Sequence, residues 1–339
     1  MISLPSPFAL KSEMALSLTQ KRFISASRNR ASDILRGKDP RIACITGPCS
    51  IHDISSAVEY AKRLKEISFE TERSFFLVMR VFCEKPRTRS GWKGLIYDPD
   101  LDGTCDLAKG LRLARSLFLM LADLQIPAAT EFLDPLIAPY FDDLITWGFI
   151  GARTSASQPH RQLASSLPFP VGFKNTVYGE IGAALNGIHN ARDPHVYFGI
   201  GEGGGIAALR SKGNPSTHLV LRGSETKPNF DMDSISRACI ELAHHGLESR
   251  LLVDCSHGNS AKDHRRQGTV FQNLLAQIEK GNRSIAGLML ESNLTAGNQR
   301  HLEDPATLSY GLSITDSCIG WEETEELLLL PTSISSVQN

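Results

Sequence analysis

Several features are missing from this sequence, and each absence removes a class of protein. No Cys-x-x-Cys pair occurs among the seven cysteines Cys44, Cys49, Cys83, Cys105, Cys239, Cys255 and Cys318. An odd count without paired spacing in a chain of 339 residues speaks against a disulfide scaffold. The expectation is a reducing, cytoplasmic compartment. No apolar run approaches the roughly 20 residues of a membrane span; the stretch Leu327–Leu330 reads as a helix end stopped by Pro331. Neither sign of charge is in excess, with 36 Lys plus Arg against 37 Asp plus Glu, so nucleic acid is not an expected partner. An early glycine-rich phosphate loop is also missing. The run Gly201-Glu202-Gly203-Gly204-Gly205 comes late, lacks dinucleotide-loop spacing and reads as a turn. Acidic residues are scarce at the start, where Glu13 is alone among residues 1–30. That composition is weakly like a transit peptide. An ordinary first helix after Leu4-Pro5-Ser6-Pro7 is the preferred reading.

From residue 41 onward, short β-rich runs alternate with helical stretches. The runs are Ile42–Thr46, Phe75–Val81, Ala128–Phe132, Phe149–Ala152, Val171–Phe173, His218–Leu221, Leu251–Asp254 and Ala286–Leu290. Ser56–Glu66, Leu107–Asp123, Ile137–Thr146 and Asp233–His244 are candidate helices between them. Eight buried runs, each followed by a crossover, predict an α/β fold of the (β/α)8 TIM-barrel type. A further run, Val196–Ile200, breaks the rhythm and is followed by Ile206–Leu209. It predicts a β-hairpin inserted between barrel strands five and six, at about 195–210. The expected division is an N-terminal extension with a helix (1–40), a catalytic barrel (41–330) and a disordered tail (331–339).

Barrel chemistry sits at the C-terminal ends of the strands. Every run here ends in polar or ionisable residues, which are costly to crowd unless a ligand or one another balances them. Barrel closure sets the eighth strand beside the first. Cys49, His257, Glu291 and Asp316 then share one arc, a mixed thiolate, imidazole and carboxylate set suited to a divalent transition metal rather than calcium or magnesium. His52 is a second-choice ligand, and Cys255 stays open because it lies two residues before His257. The other arc is cationic: Arg80, Lys85, Arg87, Arg153, Lys174 and Arg222. Six cations at one mouth imply substrates carrying several negative charges.

The motifs GPCSIHD (47–53), EKPRT (84–88), GWKGL (91–95), ATEFLDP (129–135), GART (151–154), GFKN (172–175), LRG (221–223), DCSHGNS (254–260), LESN (290–293), GNQ (297–299) and SITDSCIGWEET (313–324) resemble 3-deoxy-D-arabino-heptulosonate 7-phosphate (DAHP) synthases of type I, the bacterial and fungal class. The likeness runs from about Leu4 to Glu326, and KPRT separates it from the octulosonate-phosphate synthases. It implies condensation of phosphoenolpyruvate with erythrose 4-phosphate, opening aromatic amino-acid synthesis. It implies Cys49, His257, Glu291 and Asp316 as metal ligands, with Mn, Fe, Co and Zn all admissible. Arg80, Lys85 and Lys174 match contacts to the phosphoenolpyruvate carboxylate, Arg153 and Arg222 contacts to its phosphate. Arg87 and Thr88 match the erythrose 4-phosphate phosphate site, and Glu131 an active-site acid. Lys85 or His257 is the expected proton carrier.

The resemblance further implies a homodimer or homotetramer and an aromatic amino-acid inhibitor bound near the hairpin, the N-terminal arm and the segment after His160-Arg161. Pro168 and the hairpin Phe198-Gly199-Ile200-Gly201-Glu202-Gly203 differ from common patterns there. Gly199 favours tyrosine if control survives. Two other functions stand beside the synthase: a sibling enzyme for another aldose phosphate, and a non-catalytic metal-binding regulatory paralogue. Intact Cys49, Lys85, Arg87 and Asp316 count against the second.

Overall fold

The computed structural model describes residues 3–87, 90–300 and 305–330. Two helices come first, α1 (Pro7–Glu13) and α2 (Leu18–Leu35). Ser17 starts α2 with a reciprocal capping box to Gln20. Eight strands then form a closed parallel barrel: β1 (Ile42–Gly47), β2 (Phe75–Arg80), β3 (Ala128–Glu131), β4 (Trp147–Ile150), β5 (Val171–Lys174), β8 (Thr217–Leu221), β9 (Leu251–Asp254) and β10 (Ile285–Glu291). The remaining pair, β6 (Val196–Ile200) and β7 (Ile206–Arg210), is the antiparallel hairpin outside the barrel. Between and after the barrel strands lie α3 (Ile54–Glu70), α4 (Leu107–Asp123), α5 (Gln158–Ser166), α6 (Gly182–Arg192), α7 (Met232–His244), α8 (Gln267–Glu279) and α9 (Trp321–Leu328).

The barrel strands are apolar on both faces because one face fills the barrel and the other meets helices. Ala43, Ile45, Phe76, Val78, Trp147, Phe149, Val220, Leu252 and Met289 belong to one buried cluster, which Ala31, Ile34 and Leu35 of α2 join. A second, larger cluster includes the helix-facing residues. By contrast, the hairpin strands have no fully buried residue. No helix among the described residues is long and apolar enough to cross a membrane.

The expected helix Ile137–Thr146 does not form. A single 3-10 turn spans Ala138–Tyr140. Pro139 removes one backbone donor. The carbonyls of Tyr140, Asp142 and Ile145 accept from the guanidinium groups of Arg115 and Arg28, and Thr146 already donates to Ala128 of the barrel. The fourth strand also starts and stops two residues earlier than its run implied, because Gly151 begins a turn that accepts from Thr154 and Ser155. The tail 331–339 lies outside the described residues.

Candidate active site

Register brings the first and last barrel strands together. Gly47 pairs with Glu291, and the Ser292 N–H donates to the Gly47 carbonyl. Cys49 follows two residues past β1 and is buried, as is Glu291. The loop after β10 folds back through bridges Ser292–Ile319 and Gly297–Cys318, returning Asp316 to the same place. One ligand atom each from Cys49, Glu291 and Asp316 lies within 4.8 Å of the others. It is the one such cluster of three or more among the described residues.

The charges of this cluster are balanced by two cations. Lys85 Nζ donates to Cys49 Sγ at 2.8 Å and to Asp316 Oδ2 at 2.7 Å. Arg80 donates to Glu291 Oε1 at 2.8 Å and also to the carbonyls of Pro48 and Cys49, both at 3.1 Å. Burial, together with Glu291, pushes the Cys49 thiol up to about 11. Crowding at the cluster partly desolvates the Asp316 carboxylate although its side chain stays open to solvent, but the Lys85 ammonium outweighs this and holds the group below the usual carboxylate range. A sulfur and two carboxylates converging under a lysine ammonium form a place where positive charge is favoured. The donor types fit a transition-metal dication.

His257 stands at the edge of the cluster rather than within the three. Its Nε2 is 3.7 Å from Glu291 Oε1. Its Nδ1 faces Asp254 Oδ2 at 3.0 Å and Ser256 Oγ at 2.7 Å, which turns Nε2 toward the cluster. The backbone of His257 is left-handed, with φ of 57°. A non-glycine residue there is held by its surroundings. Gly223 (φ 71°) and Gly258 supply the close approach: a Cβ on Gly223 would meet the Gly258 carbonyl carbon at 2.5 Å. Cys255 is buried in the helix-facing core, and neither it nor His52 joins the three-residue cluster.

Asp254 is not among the site residues predicted from the sequence. It is fully buried between His257 and Lys174, whose Nζ lies 3.2 Å away. Burial raises its pKa, yet His257 and Lys174 outweigh that and hold it well below the usual range. Lys174 also faces Glu131 at 3.7 Å. Gln267 was missed too. Its amide exchanges hydrogen bonds with the backbone of Glu291 at 2.9 and 3.0 Å. The sequence signals for Asp254 were an acid closing an apolar run and its place at the head of DCSHGNS; Gln267 gave none.

A cleft of about 580 Å³ opens beside the cluster, lined by Lys85, Arg87, Arg153, Arg222, His257 and Asp316 among others. Arg80 and Lys174 are buried, and Arg80 lies 3.6 Å over the Phe82 ring. Burial lowers the pKa of the Arg222 guanidinium. Thr88 lies outside the described residues.

This geometry defines a class: a (β/α)8 barrel that gathers a sulfur-and-carboxylate ligand cluster and an anion-receptive cleft at one mouth. The chain belongs to the DAHP synthetase I family, whose model matches residues 15–329. It is 48% identical over 325 residues to the Tyr-sensitive phospho-2-dehydro-3-deoxyheptonate aldolase of Escherichia coli K12, covering 96% of this chain and 91% of that one. The Trp-sensitive enzyme of the same organism is 46% identical over 305 residues, covering 90% and 87%. A solved phospho-2-dehydro-3-deoxyheptonate aldolase from Francisella tularensis superposes with a TM-score of 0.96 at 41% identity, covering 100% of this chain and 98% of that one.

Proposed function

We infer that this chain is a 3-deoxy-7-phosphoheptulonate synthase. It condenses phosphoenolpyruvate with D-erythrose 4-phosphate and water, giving DAHP and phosphate, the first step of the shikimate pathway. The observation that carries this reading is family membership over nearly the whole chain, joined to a Cys49, Glu291 and Asp316 cluster beside a cationic cleft.

Cys49, His257, Glu291 and Asp316 would hold the divalent metal, and the donors suit Mn, Fe, Co or Zn. When bound, such a cation supplies Lewis acidity toward an aldehyde oxygen. Arg80, Lys85 and Lys174 receive the phosphoenolpyruvate carboxylate, and Arg153 and Arg222 its phosphate. Arg87 and Thr88 receive the phosphate of the aldose. These cations screen the repulsion between two polyanions and hold their reacting carbons together. Carbon three of phosphoenolpyruvate attacks the aldehyde carbon, water adds to carbon two, and phosphate leaves with cleavage of its C–O bond. Lys85 and His257, both lining the cleft, are the candidates to deliver the proton to the new alkoxide. Glu131 faces the Lys174 ammonium and orients it.

Control by an aromatic amino acid belongs to the same reading, with tyrosine the first choice. Its support is the Tyr-sensitive name of the 48% identical relative and the docking of the N-terminal arm on the hairpin, where Phe8 N–H donates to the Glu202 carbonyl at 3.1 Å. The space at Gly199 is filled by Leu209, whose Cδ1 lies 2.5 Å from where a Cβ would stand. That glycine therefore leaves no ready gap for a hydroxyl, and the preference rests on the relatives. Assembly as a homodimer or homotetramer is supported by the exposed apolar side chains Val196, Phe198 and Ile206 on the hairpin. Turnover with erythrose 4-phosphate, set against a panel of other aldose phosphates, tests the substrate. A faster reaction with another aldose would replace this reading by a sibling synthase.

A further inference from the structure

Two members of the ligand cluster sit at or just past the end of a barrel strand. Glu291 closes β10, its backbone gripped by Gln267 and its carboxylate by Arg80. Cys49 is buried just past β1, with its carbonyl bonded to Arg80. Asp316 differs, because it rides on a loop and its side chain is 64% exposed. A ligand on a free loop must be ordered when the cation binds, which lowers affinity unless the loop is already held.

Both neighbours of Asp316 are held. Thr315 Oγ1 lies 2.7 Å from the hydroxyl of Ser50, the residue after Cys49, and Ser50 is 1% exposed. Asn298 Nδ2 donates to the Thr315 carbonyl at 3.0 Å. On the other side, Ser317 Oγ donates to Asn298 Oδ1 at 2.7 Å. The Asn298 amide therefore clasps the chain before and after Asp316. The Ser50–Thr315 bond ties that loop to the residue beside Cys49. A directional bond between the two neighbours restricts how far Cys49 and Asp316 can separate, which an apolar contact of equal size would not do.

We propose that Ser50, Thr315 and Asn298 are positioning residues that set the spacing of Asp316 from Cys49 and thereby the affinity of the cluster for a divalent cation. This rests on Cys49, Glu291 and Asp316 being ligands. Outer partners of metal ligands commonly contribute about 10–100-fold to affinity.

The test is titration of the full chain with Mn(II), followed by paramagnetic resonance, and with Co(II), followed by its visible bands. Ser50→Ala, Thr315→Val and Asn298→Ala are each expected to weaken binding about tenfold and to shift the sulfur-to-cobalt charge-transfer band. Thr315→Ser keeps the hydroxyl and restores both. The Ser50→Ala/Thr315→Val double variant binds no more weakly than either single one, since both remove the same bond. Thermal midpoints of the metal-free proteins identify any variant that misfolds, and Asn298→Ala, at the surface, keeps the test available if Ser50→Ala does. Wild-type affinity in the folded single variants, or losses that add in the double variant, would overturn the proposal. If Cys49→Ala binds Mn(II) as tightly as the wild type, the ligand reading falls and this proposal with it.

Discussion

At Lys85 one ammonium lies within 2.8 Å of both the Cys49 sulfur and an Asp316 oxygen. Burial works against that ammonium, but Cys49, Asp316 and Glu291 outweigh it and raise its pKa above the ordinary lysine value. A dication and Lys85 therefore compete for the same two atoms. Lys85→Met is expected to tighten metal binding while slowing turnover by about 100-fold or more, the scale of a positioned proton donor. Metal titration and steady-state kinetics on one preparation check both halves, and weaker metal binding in the variant would refute the competition. Cys49→Ala removes the one soft donor and is expected to lose retained metal on gel filtration while keeping a folded barrel by circular dichroism. Arg80 bears on stability. It is fully enclosed against Glu291, so Arg80→Met in the metal-free protein strands a buried carboxylate. Such a loss costs about 3–5 kcal/mol and is read as a lower urea midpoint.

Elements differed in how well they could be read from the sequence. Barrel strands such as Ile42–Gly47 and Leu251–Asp254 were legible because both faces are buried, leaving continuous apolar runs. The hairpin was legible from two short runs around a glycine turn. The segment Ile137–Thr146 was not, since its carbonyls are claimed by Arg28 and Arg115, more than 20 residues away in sequence. The site divided in the same way. Cys49, His257, Glu291 and Asp316 could be set near one arc because closure brings the eighth strand beside the first; the structure gathers Cys49, Glu291 and Asp316 and leaves His257 at the edge. Asp254 and the Ser50–Thr315 bond could not be read this way. One looks like any acid at a strand end, and the other joins residues 265 positions apart. Replacing Phe198 and Ile206 with serine should lower the mass seen by light scattering and leave the barrel folded, if those side chains mediate self-association; an unchanged mass would remove that role.

At the base of the barrel, His218 is expected to make the stability of the whole molecule depend on pH. It is buried there, accepting from the Trp147 indole N–H at 3.2 Å through Nε2. Burial lowers its pKa from 6.5 to about 4, so the folded protein keeps the ring neutral while the unfolded chain protonates it. Its contribution is thus fully present above pH 6.5 and is lost as pH falls toward 4. A difference of this size amounts to about 3 kcal/mol. His218→Gln keeps an acceptor for Trp147 but does not titrate. Urea midpoints measured between pH 7 and 4 should fall less steeply in that variant, and parallel curves would assign acid unfolding to other groups. In the proposed reaction both halves of the mouth, the ligand cluster and the cationic cleft, work together. The most direct measurement is loss of phosphoenolpyruvate absorbance on adding erythrose 4-phosphate, first as purified, then with EDTA, then with Mn(II) restored. Consumption that stops with chelation and returns with metal is the predicted result. No consumption under reducing, metal-replete conditions, or consumption indifferent to EDTA, would contradict the account.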